Sequence, residues 1–165
     1  MIAINNPGNI RLSKVKYIGE LSPSVSPSFK QFVSMPYGYR AMFVLLKSYA
    51  KRGYNTVAKI IGRYAPDTEN DTASYIDYVS KMAMHKNPDE KLDVNDRETA
   101  IKLVYAISEI ENGVKPDLHE IEQGWELSRQ EQARLSRFPE KTLLLLMAFG
   151  LSVILYKPFQ NGTHT

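Results

Sequence analysis

Residues 36–53 read PYGYRAMFVLLKSYAKRG, and their apolar members decide the fold class. Tyr39, Met42, Phe43, Leu46 and Tyr49 recur at spacings of three and four, the period of one helix face, while Lys47, Lys51 and Arg52 take the other side until Gly53 stops the run. Downstream the same period returns. The spacing predicts a second helix over 56–64 with Val57, Ile60 and Ile61 inward, ended by Ala65-Pro66 because a residue before proline disfavours the helical region. Asn70 or Asp71 can cap a third helix through Tyr75, Ile76, Val79 and Met82. A fourth begins near Asn95-Asp96, carries Ile101, Val104, Tyr105 and Ile107, and closes at Glu111-Asn112-Gly113, where glycine is a natural terminator. A fifth runs over 117–127 on Leu118, Ile121 and Trp125.

Upstream of Pro36 the pattern changes. Asn5-Asn6-Pro7-Gly8-Asn9 is turn chemistry, and Ile10-Arg11-Leu12, Val15-Lys16-Tyr17-Ile18 and Phe29-Lys30-Gln31-Phe32-Val33 read as short strands. The serine- and proline-rich stretch 22–28 is an exposed loop between two of them. The expected class is therefore α+β, mainly α, with a small N-terminal β-sheet followed by a helical lobe.

The remaining 38 residues divide in two. Residues 128–141 are rich in Arg, Gln and Glu and read as a polar stalk. From Thr142 to Tyr156 the run TLLLLMAFGLSVILY carries no charge and is bracketed by Lys141 and Lys157. As a helix it rises about 22 Å, short of a hydrocarbon core of about 30 Å. Snorkelling lysines and an interfacial Tyr156 extend that reach, so residues 142–157 are expected to form a single-pass membrane anchor, with a buried core helix as the alternative. No basic start followed by an apolar run opens the chain, so no N-terminal signal is expected.

Composition narrows the chemistry. At 165 residues, 43% hydrophobic and 24% charged, the chain has room for one domain of ordinary size. A net charge of +3 is too thin to argue for specific nucleic-acid binding. With no cysteine and with His85, His119 and His164 scattered, thiol nucleophiles and two-histidine metal sites lack raw material, and neither a metal nor a cofactor is expected. Carboxylates, amides and tyrosines are abundant, an inventory suited to glycoside cleavage by a protonated carboxylic acid. Glu111 closes an otherwise apolar helix, where partial desolvation would fit it to act as an acid, or where it is simply solvated in the last turn. Glu20 follows Gly19 in a strand and is either a second carboxylate across a cleft or an outward-facing residue. Glu69 stands beside a helix start, where a carboxylate interacts favourably with the helix N-terminus.

Five strings stand in order along residues 4–125: Asn5 to Arg11 (NNPGNIR), Tyr17-Ile18-Gly19-Glu20, Phe29 to Ala41 with Gly38-Tyr39-Arg40-Ala41, Ala65 to Thr72 followed by Tyr75-Ile76, and Glu111-Asn112-Gly113. Together they resemble a family of phage and prophage virion structural proteins. Tyr17 and Tyr64 stand where that family usually has tryptophan. The first half also resembles the β-lobe of lysozyme-like glucosaminidases of the flagellar type, whose acid glutamate lies on a helix before the corresponding strand. Here the segment 103–113, LVYAISEIENG, is similar to that catalytic helix but follows the other helices, which implies a circularly permuted lysozyme-like domain over 1–127. The resemblance implies Glu111 as general acid, Glu20 as second carboxylate, and Asn5, Asn6, Asn9, Tyr39 and Tyr75 as substrate-binding residues. It further implies peptidoglycan glycan strands as substrate, other virion proteins as partners, and residence in the virion or host membrane. A non-catalytic structural protein, or a module that binds glycan without turnover, is the alternative.

Overall fold

The computed structural model describes residues 4–68, 71–84 and 86–135. Glu69, the later part of the expected stalk and the apolar run 142–156 lie outside the described residues. Two compact units divide the chain, Met1–Gln130 and Glu131–Thr165. Among the described residues, no helix is long and apolar enough to cross a membrane.

The architecture is mainly helical with a two-stranded sheet. Strands β1 (Glu20–Leu21) and β2 (Gln31–Phe32) pair antiparallel, with Glu20 opposite Phe32. Helices α1 (Met35–Lys51), α2 (Val57–Tyr64), α3 (Thr72–Tyr78), α4 (Arg97–Asn112) and α5 (Leu118–Leu135) follow, and α3 continues into a π-helical turn, Val79–Met84. The helix ends follow the local chemistry. The side chains of Thr56, Asp71 and Asp96 accept the amides of Lys59, Ser74 and Thr99, the third residue of each helix, each satisfying a donor the first turn leaves open. Gly113 ends α4 at φ 67°, a conformation that costs a side-chain-bearing residue more.

Three expectations need correction. Val15 to Ile18 form no strand, although they alternate. Their would-be ladder is taken by a side chain: the ammonium of Lys30, wholly buried, donates to the carbonyl of Val15 at 2.8 Å and of Ser13 at 3.4 Å. The third segment is shorter than expected too: its strand is Gln31–Phe32, with a bridge between Arg11 and Phe29 and the Phe32 amide donating to the Ile4 carbonyl. At the other end, α5 does not stop at residue 127 but runs to Leu135. Residues 128–135 contain neither proline nor glycine, and Arg, Gln, Glu, Ala and Leu are good helix formers.

The core gathers the α1 stripe Tyr39, Met42, Phe43 and Leu46 with Val57, Ile60 and Ile61 of α2, Leu103, Val104 and Ile107 of α4, and Ile121 and Trp125 of α5. Phe43 and Trp125 meet edge to face at 5.2 Å. Gly38 allows α1 to lie against the N-terminal loop: a methyl there would overlap the Asn5 carbonyl and stand 2.5 Å from Pro7 Cδ. Since those atoms belong to backbone and a proline ring, the clash cannot be relieved by a rotamer change. Gly38→Ala is expected to cost about 1–3 kcal/mol through overpacking, read as a lower midpoint in urea titration with an unchanged slope.

Candidate functional site

The last turn of α4 and the N-terminal loop 5–9 meet at Glu111. Asn9, held at φ 46°, donates its amide to Glu111 Oε2 at 2.9 Å and to the Glu111 carbonyl at 3.2 Å. From the opposite side the Tyr75 hydroxyl, delivered by α3, lies 3.1 Å from Glu111 Oε1 and 3.4 Å from the Ile107 carbonyl. The carboxylate thus has one donor on each oxygen, and Glu111 itself is half-buried. Each oxygen keeps a lone pair beyond those two bonds.

The surroundings fix this arrangement. Asn112 donates to the carbonyls of Pro7 and Ser108, both at 2.7 Å, and the Tyr64 hydroxyl donates to the Gly8 carbonyl. Tyr78 bonds Glu109, tying the end of α3 to α4 two residues before Glu111. Burial raises the Tyr75 hydroxyl far above its ordinary pKa, and the nearby Glu111 charge raises it further; Tyr64 is raised for the same two reasons. Both phenols therefore stay protonated donors, unable to act as bases at physiological pH.

The residues read from the sequence fall into two groups. Asn9 and Tyr75 are brought to Glu111. Asn5 and Asn6 instead shape the loop: Asn5 donates to the Phe32 carbonyl, and buried Asn6 donates to Ile10 and Lys30 carbonyls while accepting the Ile10 amide. Tyr39 is buried, its hydroxyl 3.3 Å from Ser108 Oγ, so it supports α4 from inside the core and offers no surface to a substrate. Glu20 is committed elsewhere. Its side chain is 3% exposed, pairs with Lys30 at 3.0 Å and Lys16 at 3.2 Å, and accepts the Tyr17 amide. Burial alone would raise its pKa, but these three donors together hold the carboxyl below the usual value.

Gly8, Tyr64 and Asn112 lie in or beside the strings quoted for the resemblance, but sequence reasoning gave none of them a role in the site. Tyr64 carried one usable signal, an aromatic closing α2 directly before Ala65-Pro66. Among the described residues, no group of three or more His, Asp or Glu side chains is placed to hold a metal ion. Tyr75→Phe removes a buried hydroxyl while keeping the ring, so it is expected to cost about 1 kcal/mol, the ordinary net value of one hydrogen bond, measured by thermal or urea melting.

No protein-family model matches the chain. Protein P5 of Pseudoalteromonas phage PM2 is 37% identical over 128 residues, an alignment that covers 74% of this chain and 77% of that protein. At that identity and coverage, the chain belongs to the family of this phage protein.

Proposed function

We propose that this chain is a virion-associated protein that cleaves peptidoglycan glycan strands, with Glu111 as the general acid. The observation that carries the reading is the convergence of three distant segments on one half-buried carboxyl: Asn9 and Tyr75 fix both oxygens of Glu111 at the end of α4. A positioned carboxylic acid is the group that protonates a glycosidic oxygen as the bond to the sugar carbon breaks. Membership in a phage protein family supports the setting, since a virus of bacteria meets a cell wall. With Glu20 bound to Lys30, no second carboxylate is assigned, and Asn9 and Tyr75 serve as positioning residues. In this reading the apolar run 142–156 tethers the domain to a membrane.

A second reading has its own observation. Donors on both oxygens also make Glu111 a good latch between α4 and the loop 5–9, as a non-catalytic virion protein would use it. Incubating the full chain with purified sacculi distinguishes the two. Release of soluble glycan fragments is expected; intact sacculi at high protein excess would leave the latch. Counting reducing ends then assigns the bond-breaking route, because hydrolysis creates one per cut and transglycosylation creates none.

A further inference from the structure

Residues 1–66 hold ten Lys and Arg against one acid, Glu20, a net of +9, whereas residues 67–165 carry a net of −6. That one acid is already held by Lys30 and Lys16. The same part of the chain displays apolar side chains to solvent. Leu12, Val15, Ile18, Leu21, Val25 and Val33 each keep 40–58% of their surface accessible, and among the described residues outside 12–33 only Val114 and Leu118 are large apolar side chains as open.

The register of the two strands gathers part of this set on one face. Glu20 stands opposite Phe32 and Leu21 opposite Gln31, and the Val33 amide donates to the Gly19 carbonyl at 2.9 Å. Side chains alternate across a strand, so the buried side chains of Glu20 and Phe32 share the inner face, while Leu21, Gln31 and Val33 share the outer one. Gln31 is covered in turn: its Oε1 accepts the Val25 amide at 3.1 Å, which brings Val25 to that face. Ile18 leads into it through Gly19. A cation reaches the rim, because the Lys16 ammonium lies 3.2 Å from Ser22 Oγ, next to Leu21, on a side chain that is mostly exposed. Lys14, two residues earlier, is exposed as well.

We propose that this outer face, Leu21, Val25 and Val33 with Ile18, Lys14 and Lys16 beside it, docks on a bilayer surface rich in anionic lipid. The composition selects that occupant. Apolar side chains enter the boundary between headgroups and acyl chains, and lysine stems follow them while their ammonium groups stay among the phosphates. No carboxylate of residues 1–66 is left to repel the surface, since Lys30 and Lys16 neutralise Glu20. Duplex DNA would satisfy the lysines and leave the leucine and valines in water, and a second copy would set two cationic faces against each other. The inference needs neither Glu111 nor insertion of residues 142–156.

The chain has no cysteine, so a single one introduced as Val25→Cys takes an environment-sensitive fluorophore without competition, and Asp89→Cys, exposed in the acidic part of the chain, supplies the reference. The labelled full chains are mixed with phosphatidylcholine vesicles, with or without about 30% phosphatidylglycerol, that contain a brominated lipid as quencher. Expected is quenching at Val25 about threefold above that at Asp89 on anionic vesicles. It should fall to the Asp89 level on neutral vesicles, at about 500 mM salt, and in the Lys14→Gln/Lys16→Gln variant, whose melting temperature should match the parent's because Lys30 still holds Glu20. Equal quenching at both positions, or Val25 quenching that is the same on neutral and anionic vesicles, overturns the docking surface. So does a Val25 fluorophore already shielded before vesicles are added, as folding of the run 142–156 over this face would produce. Chain that sediments with neutral vesicles while Val25 stays unquenched on anionic ones overturns the surface and leaves the tether. Val25 quenching on anionic vesicles by chain that does not sediment with neutral ones upholds the surface without help from the tether.

Discussion

Replacing Glu111 by glutamine is expected to lower the rate of glycan release from sacculi by about 10²–10⁴-fold, the usual contribution of a positioned general acid, while leaving the fold intact. The second half of that expectation follows from the hydrogen bonds. Asn9 can only donate through its amide nitrogen, whereas the Tyr75 hydroxyl can donate or accept. A glutamine that turns its oxygen to Asn9 and its NH2 to Tyr75 keeps both contacts, so the melting temperature should hold within a few degrees. Only the transferable proton is lost. Zymography on cell-wall gels reads the activity, and the thermal midpoint reads the fold. Equal clearing by Glu111→Gln and the parent would exclude Glu111 as the acid.

Lys30→Met should be the most damaging single change around the two-stranded sheet, costing about 3–5 kcal/mol, the range seen when one partner of a buried ion pair is removed. Methionine fills most of the stem's volume but gives nothing to Glu20 or to the carbonyls of Ser13 and Val15, which the ammonium satisfies now. A Glu20→Gln change added to Lys30→Met removes the stranded charge and should restore part of the loss, so the two effects should not add. Acid titration gives an independent reading. Because the Glu20 carboxyl is held below its ordinary value in the fold, its contribution to stability is complete above that ordinary value and disappears as pH falls through the lowered one. Lys30→Met removes one of the three donors that hold the carboxyl down, and its urea midpoint should therefore fall less than the parent's between neutral and acidic pH.

The helices were legible because their signals are local. The α1 stripe, the caps at Thr56 and Asp96, and the glycine stop at Gly113 each act within one or two turns, so neighbouring residues suffice to read them. The strand expected at Val15 to Ile18 failed for the opposite reason. Its alternation is genuine, but its backbone is claimed by a lysine 15 positions away whose burial no local pattern announces. Glu111 was legible from its place at the end of an apolar helix and Asn9 from its turn, but their contact spans 102 residues and depends on tertiary packing that no local pattern encodes. Glu20 shows the limit from the other side. A carboxylate after a glycine in a strand looks equally free for chemistry or for structure, and the buried Lys30 decides it.

The distance along the chain between Asn9 and Glu111 has a consequence for synthesis. A ribosome adding about 5–20 residues per second makes Asn9 several seconds before its carboxylate partner exists. Closing a segment of that length also carries a large entropic cost, which the completed core must offset. The nascent protein therefore holds an unassembled site until α4 has left the tunnel. Shortened translation products ending before Glu111 carry none of the proposed activity, and a host cell making this protein is exposed to it only once whole domains have folded.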